Sequence, residues 1–123
     1  FAEVVDDYVL LAKTRGMTFT IDARPTTIRA NRDMMRHVIS NLVSNAVRHG
    51  KNGTVVSIRM YVEGVFAVIC VENETIAGKV TSGEPGIGLD ISRKLLAACF
   101  GGTLETAGQN GTFRTEVRIP AVF

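Results

Sequence analysis

Residues 31–49 form the segment that most constrains how this chain can fold. At about 100° per residue on a helix, five apolar residues of this segment share one face. They are Met35, Val38, Ile39, Leu42 and Ala46. Asn31 is a suitable N-cap residue, and Gly50 is a suitable residue to end the helix. The pattern predicts an amphipathic helix over residues 31–49 whose apolar face is buried in the core.

A polar stripe borders that apolar face. His37, Asn41, Asn45 and Arg48 follow one another at spacings of four, four and three residues. Asparagine is a mediocre helix former, so Asn41 and Asn45 at the edge of the core suggest a group that both of them contact. An amide oxygen can coordinate Mg²⁺, and Arg48 could neutralise phosphate charge. Alternatively, the two asparagines hydrogen-bond a neighbouring loop and have only a structural role.

Two further helices and several strands are expected from the rest of the sequence. Helices are predicted at residues 1–15 and 89–100, each followed by glycine. Strands, most of them in adjacent pairs, are predicted at residues 17–21, 27–30, 54–62, 65–71, 103–106 and 112–119. This order predicts an α+β fold, a two-layer sandwich in which three helices pack on one face of a mixed, mainly antiparallel sheet.

The length of 123 residues predicts one domain, residues 1–123. The net charge of +2 gives no reason to expect nucleic-acid or membrane binding, and no apolar run approaches the roughly 20 residues that span a bilayer. Cys70 and Cys99 lie in apolar stretches, which predicts buried free thiols in a reducing compartment. The chain does not begin with Met, and we expect it to be a fragment of a longer protein.

The segment Glu84-Pro85-Gly86-Ile87-Gly88-Leu89-Asp90-Ile91 runs directly into the last predicted helix. Glycines before a helix let the backbone approach a ligand closely, and the helix dipole then favours an anion such as phosphate. Such glycines can also mark no more than a turn. The asparagine stripe and this segment are separated by a predicted strand pair, which could bring both to one end of the sheet.

Four motifs together resemble the catalytic, ATP-binding domain of bacterial sensor histidine kinases, which has the GHKL or Bergerat fold. Residues 33–49 resemble the N box of that family, and Val71-Glu72-Asn73 stands where its G1 box begins. Gly86-Ile87-Gly88-Leu89-Asp90-Ile91 resembles the G2 box. Gly111-Thr112-Phe113, leading to Ile119-Pro120, resembles the closing G-T-x-F strand. The likeness covers essentially the whole chain, with its motifs in the family's order.

The resemblance implies a cofactor site for ATP and Mg²⁺ but no certain catalytic residue. Its residues would be Asn41, Asn45, Arg48, His49, Asn73, Gly86, Gly88, Leu89 and Thr112. By this likeness Asn45 is the Mg²⁺ ligand, supported by Asn41, and Arg48 and His49 approach the triphosphate. Gly86 and Gly88 line the phosphates. Asn73 takes the place of the family's adenine-recognising Asp, and Thr112 lies near the adenine.

The chain departs from the family pattern in the G1 box, the lid and the G2 box. The D-x-G-x-G of the G1 box is replaced by residues 73–77, which lack both glycines. Residues 74–85 make a short ATP lid without the usual phenylalanine, and Asp90 replaces the third glycine of the G2 box. These departures leave open an alternative, a degenerate domain that has lost ATP and serves as a protein-interaction module. A serine kinase of the anti-sigma type, with the same fold, is a third reading.

The resemblance implies phosphoryl transfer from MgATP to a histidine on a separate dimerisation domain of the same protein. Neither His37 nor His49 fits the family's acceptor motif, so the fragment alone is expected to bind nucleotide without phosphorylating itself. A response regulator is the other expected partner, and neither nucleic acid nor direct membrane contact is expected. The implied protein is a cytoplasmic part of a membrane-bound sensor, with a monomeric isolated domain and a homodimeric full-length chain.

Overall fold

The computed structural model describes residues 2–24, 32–75, 86–109 and 111–121. Its helices are α1 (Ala2–Thr14), α2 (Arg32–His49) and α3 (Gly86–Leu95), and α3 continues as a π-helical turn over Leu96–Phe100. Its strands are β1 (Thr18–Ala23), β2 (Val55–Glu63), β3 (Phe66–Glu74), β4 (Thr103–Gln109) and β5 (Thr112–Pro120). The predicted strand at residues 27–30 lies outside the described residues. Within the described ranges, every helix is too short or too polar to cross a membrane.

The strands form one sheet in the order β1-β2-β3-β5-β4. β1 pairs with β2 in parallel, and the other three pairings are antiparallel. All three helices contribute to one layer against this sheet, with α2 in contact with α1, α3 and β3. The predicted two-layer α+β sandwich on a mixed, mainly antiparallel sheet is therefore confirmed.

The apolar face of α2 is the centre of the core, as its sequence pattern predicts. Met35, Val38, Ile39, Leu42 and Ala46 are all buried, and Val43 and Val47 are fully buried beside them. The sheet contributes alternate residues to the same core, because successive side chains of a strand point to opposite faces. These are Val56, Ile58, Ile69, Val71, Leu104, Val117 and Ile119. The predicted burial of Cys70 is confirmed, but on the opposite face of the sheet.

Among the described residues, that opposite face is covered by charged side chains and not by a second helix layer. Arg118 bonds Glu63 at 2.9 Å and Glu116 at 3.2 Å, and Glu116 also pairs with Arg114 at 2.9 Å. Hydrogen bonds to Glu63 and Glu116 raise the pKa of the Arg118 guanidinium. The aliphatic stems of such side chains shield apolar neighbours while their charges stay in water. This explains why Val68, directly across from Arg118, is fully buried without a helix above it.

Several element boundaries differ from the sequence prediction, and two of these differences concern the candidate site residues. α3 begins at Gly86, three residues before the predicted start at Leu89. β3 extends to Glu74 and therefore includes Asn73, which lies beyond the predicted strand end at residue 71. β3 continues to Glu74 because this residue pairs with Thr112 on β5. α3 can begin at Gly86 because the cost of glycine in a helix is small enough to be tolerated in the first turn.

We predict that Gly50→Ala destabilises the fold. A Cβ atom at residue 50 would lie 2.6 Å from the backbone oxygen of Ala46 and would also collide with the Met17 side chain. Because a backbone oxygen of α2 cannot move freely, the expected loss is about 2 kcal/mol or more in the free energy of unfolding by urea. Gly64→Ala is the control. Its φ is 62° and nothing approaches within 4 Å, so only backbone strain of about 1 kcal/mol is expected. An equal or smaller loss for Gly50→Ala would contradict this account.

Candidate functional site

Three chain segments meet at one end of the sheet. The Lys51 amide, just after α2, donates to the carbonyl of Glu74 at the end of β3, at 2.6 Å. The Thr75 amide, one residue later, donates to the carbonyl of Gly111 in the β4–β5 turn at 2.7 Å. These two bonds hold the C-terminal end of α2, the end of β3 and the turn before β5 side by side. The end of α2, which carries Arg48 and His49, therefore lies beside the end of β3, which carries Asn73.

The polar stripe of α2 lies along the edge of the core, as predicted. Asn41 and Asn45 are half-buried, whereas Arg48 and His49 at the end of the helix are exposed. His37, one turn before Asn41, is also exposed. The stripe therefore presents amides next to the core and cationic groups toward solvent at the helix end.

A buried hydroxyl on α3 contacts this stripe. The Asn41 Nδ2 donates to Ser92 Oγ at 2.9 Å, and Ser92 is fully buried. Sequence reasoning missed Ser92 because serine is not an obvious core residue. Its spacing of four residues from Leu96, also fully buried, is the signal that could have identified it. Ser92 thus fixes the side chain of Asn41 and connects α2 to the helix that follows the glycine-rich segment.

Asn73 points toward the helix layer and is only 2% exposed. It has the same strand parity as Val71, which belongs to the core. Its Nδ2 lies 3.4 Å from the carbonyl oxygen of Glu74, at the long limit for a hydrogen bond. A buried amide at a strand end, next to the α2 terminus, has an oxygen that can accept a hydrogen bond from a polar ligand group.

The two threonines of β5 differ in burial and in the sheet face they occupy. Thr112 is exposed and lies across from Glu74, on the sheet face that points away from the helices. The structure therefore does not bring Thr112 together with Asn73. Thr115 is 3% exposed, lies across from Val71 and shares the helix-facing side with Asn73. Thr112 and Thr115 are three positions apart, and because side chains alternate along a strand, the two point to opposite faces of the sheet.

The first turn of α3 contains Gly86, Gly88 and the Leu89 backbone, so these residues belong to the helix start and do not precede it. The first four backbone N–H groups of an α-helix have no partner within it, which makes such a start suitable for an anion. Asp90 is directed toward Arg93, whose Nη1 lies 3.2 Å from its Oδ1. Arg93 also donates from Nε to the Leu104 carbonyl at 3.0 Å, so the Asp90 charge is paired on the β4 side of the helix.

The residues present fit a magnesium ion that arrives with phosphate. Mg²⁺ takes oxygen ligands and is commonly held by one or two side chains plus phosphates and water. Asn45 offers one half-buried amide oxygen of this kind. Among the described residues, no group of three or more His, Cys, Asp or Glu side chains could hold a metal alone. The arrangement thus suits a metal–phosphate complex better than a protein-only metal site.

Comparison with known proteins identifies relatives of this architecture. The family model for histidine kinase-, DNA gyrase B-, and HSP90-like ATPases matches residues 30–122. No curated protein matches the chain significantly. The catalytic domain of the histidine kinase ThkA is similar in structure, with a TM-score of 0.83, 20% identity, and coverage of 97% of this chain and 89% of that chain.

Two further solved structures extend this likeness. The Acinetobacter baumannii histidine kinase AdeS gives a TM-score of 0.81 at 20% identity, and the match covers 97% of this chain and 61% of AdeS. A mycobacterial sensor histidine kinase, MprB, gives a TM-score of 0.74 at 18% identity and coverage of 98% and 93%. At these identities the likeness shows the fold. The chain spans less than two thirds of the AdeS structure.

The contact between Asn41 and Ser92 predicts energetic coupling between α2 and α3. Ser92→Ala removes the acceptor of a half-buried N–H group, and the expected loss is about 1–2 kcal/mol in the free energy of unfolding. In a double-mutant cycle with Asn41→Ala, the two losses should sum to more than the loss of the double variant, by about 0.5–1 kcal/mol. Ser57→Ala, at a half-buried serine on the other face of the sheet, is the control and should show no coupling. Additive losses for Asn41 and Ser92 would refute the coupling.

Proposed function

The chain belongs to the histidine kinase-, DNA gyrase B-, and HSP90-like ATPases, and on that premise we propose that it binds MgATP as the catalytic domain of a two-component sensor histidine kinase. In this role it presents the γ-phosphoryl group to a histidine on a separate dimerisation domain of the same protein. The observation that carries the proposal is the bond from Lys51, just after α2, to Glu74, which places the α2 terminus beside the strand end that carries buried Asn73. The likeness to catalytic domains of histidine kinases supports the choice within the family.

Asn73 is the proposed contact for the adenine base. Its amide oxygen can accept a hydrogen bond from the adenine amino group, as the family's aspartate does, but without a negative charge. Thr115 shares the same side of the sheet and is the proposed threonine of this pocket, in place of Thr112. The base would then lie between the helix layer and the sheet, where both side chains are shielded from water.

The proposed phosphate site lies between α2 and the start of α3. Asn45 would hold Mg²⁺ through its amide oxygen, with Asn41 beside it, and Arg48 and His49 would approach the triphosphate. Backbone N–H groups of Gly86, Gly88 and Leu89 would bind phosphate oxygens. The magnesium ion, when bound, would neutralise phosphate charge and orient the triphosphate for transfer. The protein's own contribution is positioning and electrostatic stabilisation, since phosphoryl transfer needs little covalent chemistry from the enzyme.

The phosphoryl acceptor is proposed to lie outside this domain. The chain has two histidines, and neither His37 nor His49 has the sequence context of an acceptor. We propose the dimerisation domain of the same protein as the first partner and a response regulator as the second. The domain would then be the cytoplasmic portion of a membrane-bound sensor and would act as part of a homodimer.

The proposal predicts magnesium-dependent nucleotide binding. Isothermal titration of ATP and ADP into the protein, with and without Mg²⁺, should give tighter binding with the metal. Asn45→Ala should abolish the gain from Mg²⁺, because it removes the proposed oxygen ligand. His37→Ala is the matched control on the same helix and should bind as the wild type does. Absence of binding by the wild type at millimolar MgATP would overturn the proposal.

A second prediction concerns base selection by Asn73. An amide can accept from the 6-amino group of adenine or donate to the 6-oxo group of hypoxanthine, whereas a carboxylate can only accept. Asn73→Asp should therefore increase the preference for ATP over ITP by about tenfold or more, since a carboxylate facing a carbonyl oxygen leaves both unpaired. The dissociation constants for ATP and ITP should be measured in parallel. Asn73→Ala is the reference variant, because it can neither accept a hydrogen bond from adenine nor donate one to hypoxanthine. An unchanged ATP/ITP ratio in Asn73→Asp would remove Asn73 from the base site.

A further inference from the structure

Arg15, in the turn between α1 and β1, binds the C-terminal end of α2. Its Nη1 donates to the carbonyls of Val47 and Arg48, the latter at 3.0 Å. Its Nη2 donates to the carbonyl of Gly50, and its Nε donates to Asn52 Oδ1 at 2.8 Å. One guanidinium group thus occupies four acceptors at the end of the helix that contains the asparagine stripe.

This contact satisfies a specific need of the helix end. The last four carbonyl groups of an α-helix lack partners within the helix, and the helix dipole places partial negative charge there. The Gly50 amide bonds only one of these carbonyls, that of Ala46. Arg15 supplies donors for two more and adds a positive charge at the negative end of the dipole. No other common side chain presents several N–H donors in one fixed plane.

The same contact determines where the helix end lies relative to β3. The Gly53 amide donates to the carbonyl of Arg15 at 3.0 Å, so the loop after α2 is bonded to Arg15 through both backbone and side chain. Within this loop, the Lys51 amide bonds the Glu74 carbonyl, next to Asn73. A continuous set of bonds therefore runs from Arg15 through the α2 terminus to the end of β3.

We propose that Arg15 is a positioning residue for the nucleotide site. Through its bonds to the end of α2, Arg15 holds Arg48 and His49 in place relative to Asn73. This inference rests on the proposed binding of MgATP. Arg15 precedes residues 30–122, the part of the chain that the family model matches, so the family motifs give no indication of it. The first helix and strand of the chain would thus contribute to ligand binding without touching the ligand.

The test compares Arg15→Lys and Arg15→Met with the wild type in titrations of MgATP and of adenosine. Lysine keeps the charge but cannot serve four acceptors in one plane, and methionine removes both charge and donors. We expect both variants to lose about tenfold in MgATP affinity, equivalent to one or two hydrogen bonds, and to lose much less for adenosine. A third variant, Arg15→Ala, leaves space for a small guanidinium compound. Millimolar methylguanidinium should partly restore MgATP binding to this variant.

Arg118→Ala is the matched control. Arg118 is also an arginine with hydrogen-bonded side-chain nitrogens, with two bonds, to Glu63 and Glu116, on the far face of the sheet. Arg118→Ala should lower the urea midpoint of unfolding without changing the ratio of MgATP affinity to adenosine affinity. Each titration is made at a temperature at which urea unfolding curves show that the variant is folded. If Arg15→Met does not fold, the comparison of Arg15→Lys with the wild type still tests the proposal.

The outcomes separate this inference from the proposed function. Wild-type binding with unchanged MgATP affinity in both Arg15 variants overturns the role of Arg15 and leaves the proposed function intact. Equal losses for MgATP and adenosine also overturn it, because they indicate a general loss of structure. Failure of the wild type to bind MgATP overturns both. A selective loss for MgATP, restored by methylguanidinium, supports the positioning role.

Discussion

Burial of the apolar face of α2 against the sheet is the interaction on which the rest of the structure depends. Val38, Leu42 and Val47 are at most 1% exposed, and the core of the domain is arranged around them. A helix fixes the angles between its side chains, so burying this face also fixes where its polar stripe lies. Asn41 and Asn45 are half-buried for this reason. The location of the candidate site is therefore a consequence of how the core packs.

The parts of the fold that sequence could predict are those with a local, repeated signal. The 3.6-residue period of α2, the alternation in β2 and β5 and the apolar run of β3 are each visible within a dozen residues, and these elements were found as expected. The start of α3 was wrong by three residues, because Gly86 and Gly88 are poor helix formers by propensity. The π-helical turn at Leu96–Phe100 also has no period of its own to reveal it.

The candidate site was less predictable because its contacts join distant parts of the chain. Asn41 and Ser92 are 51 residues apart, and Arg15 and Val47 are 32 apart, so no window of sequence contains either pair. Motif matching selected both Asn73 and Thr112, but the Thr112 side chain is on the opposite face of the sheet from Asn73. Which face a strand residue occupies depends on its register, since a shift of one residue reverses the facing of every side chain.

Helix electrostatics give a physical reason for a cation at position 15. The proposed site uses the C-terminal end of α2, where the dipole is negative and repels phosphate, together with the N-terminal end of α3, where it is positive. A triphosphate near both helix ends is favoured only if positive charge offsets the negative end of the α2 dipole. Arg15 lies on the α2 carbonyls themselves, and Arg48 is exposed in the last turn of that helix. The two arginines thus make the α2 terminus compatible with an anionic ligand, which a helix with the same asparagines but no cation at its end would not be.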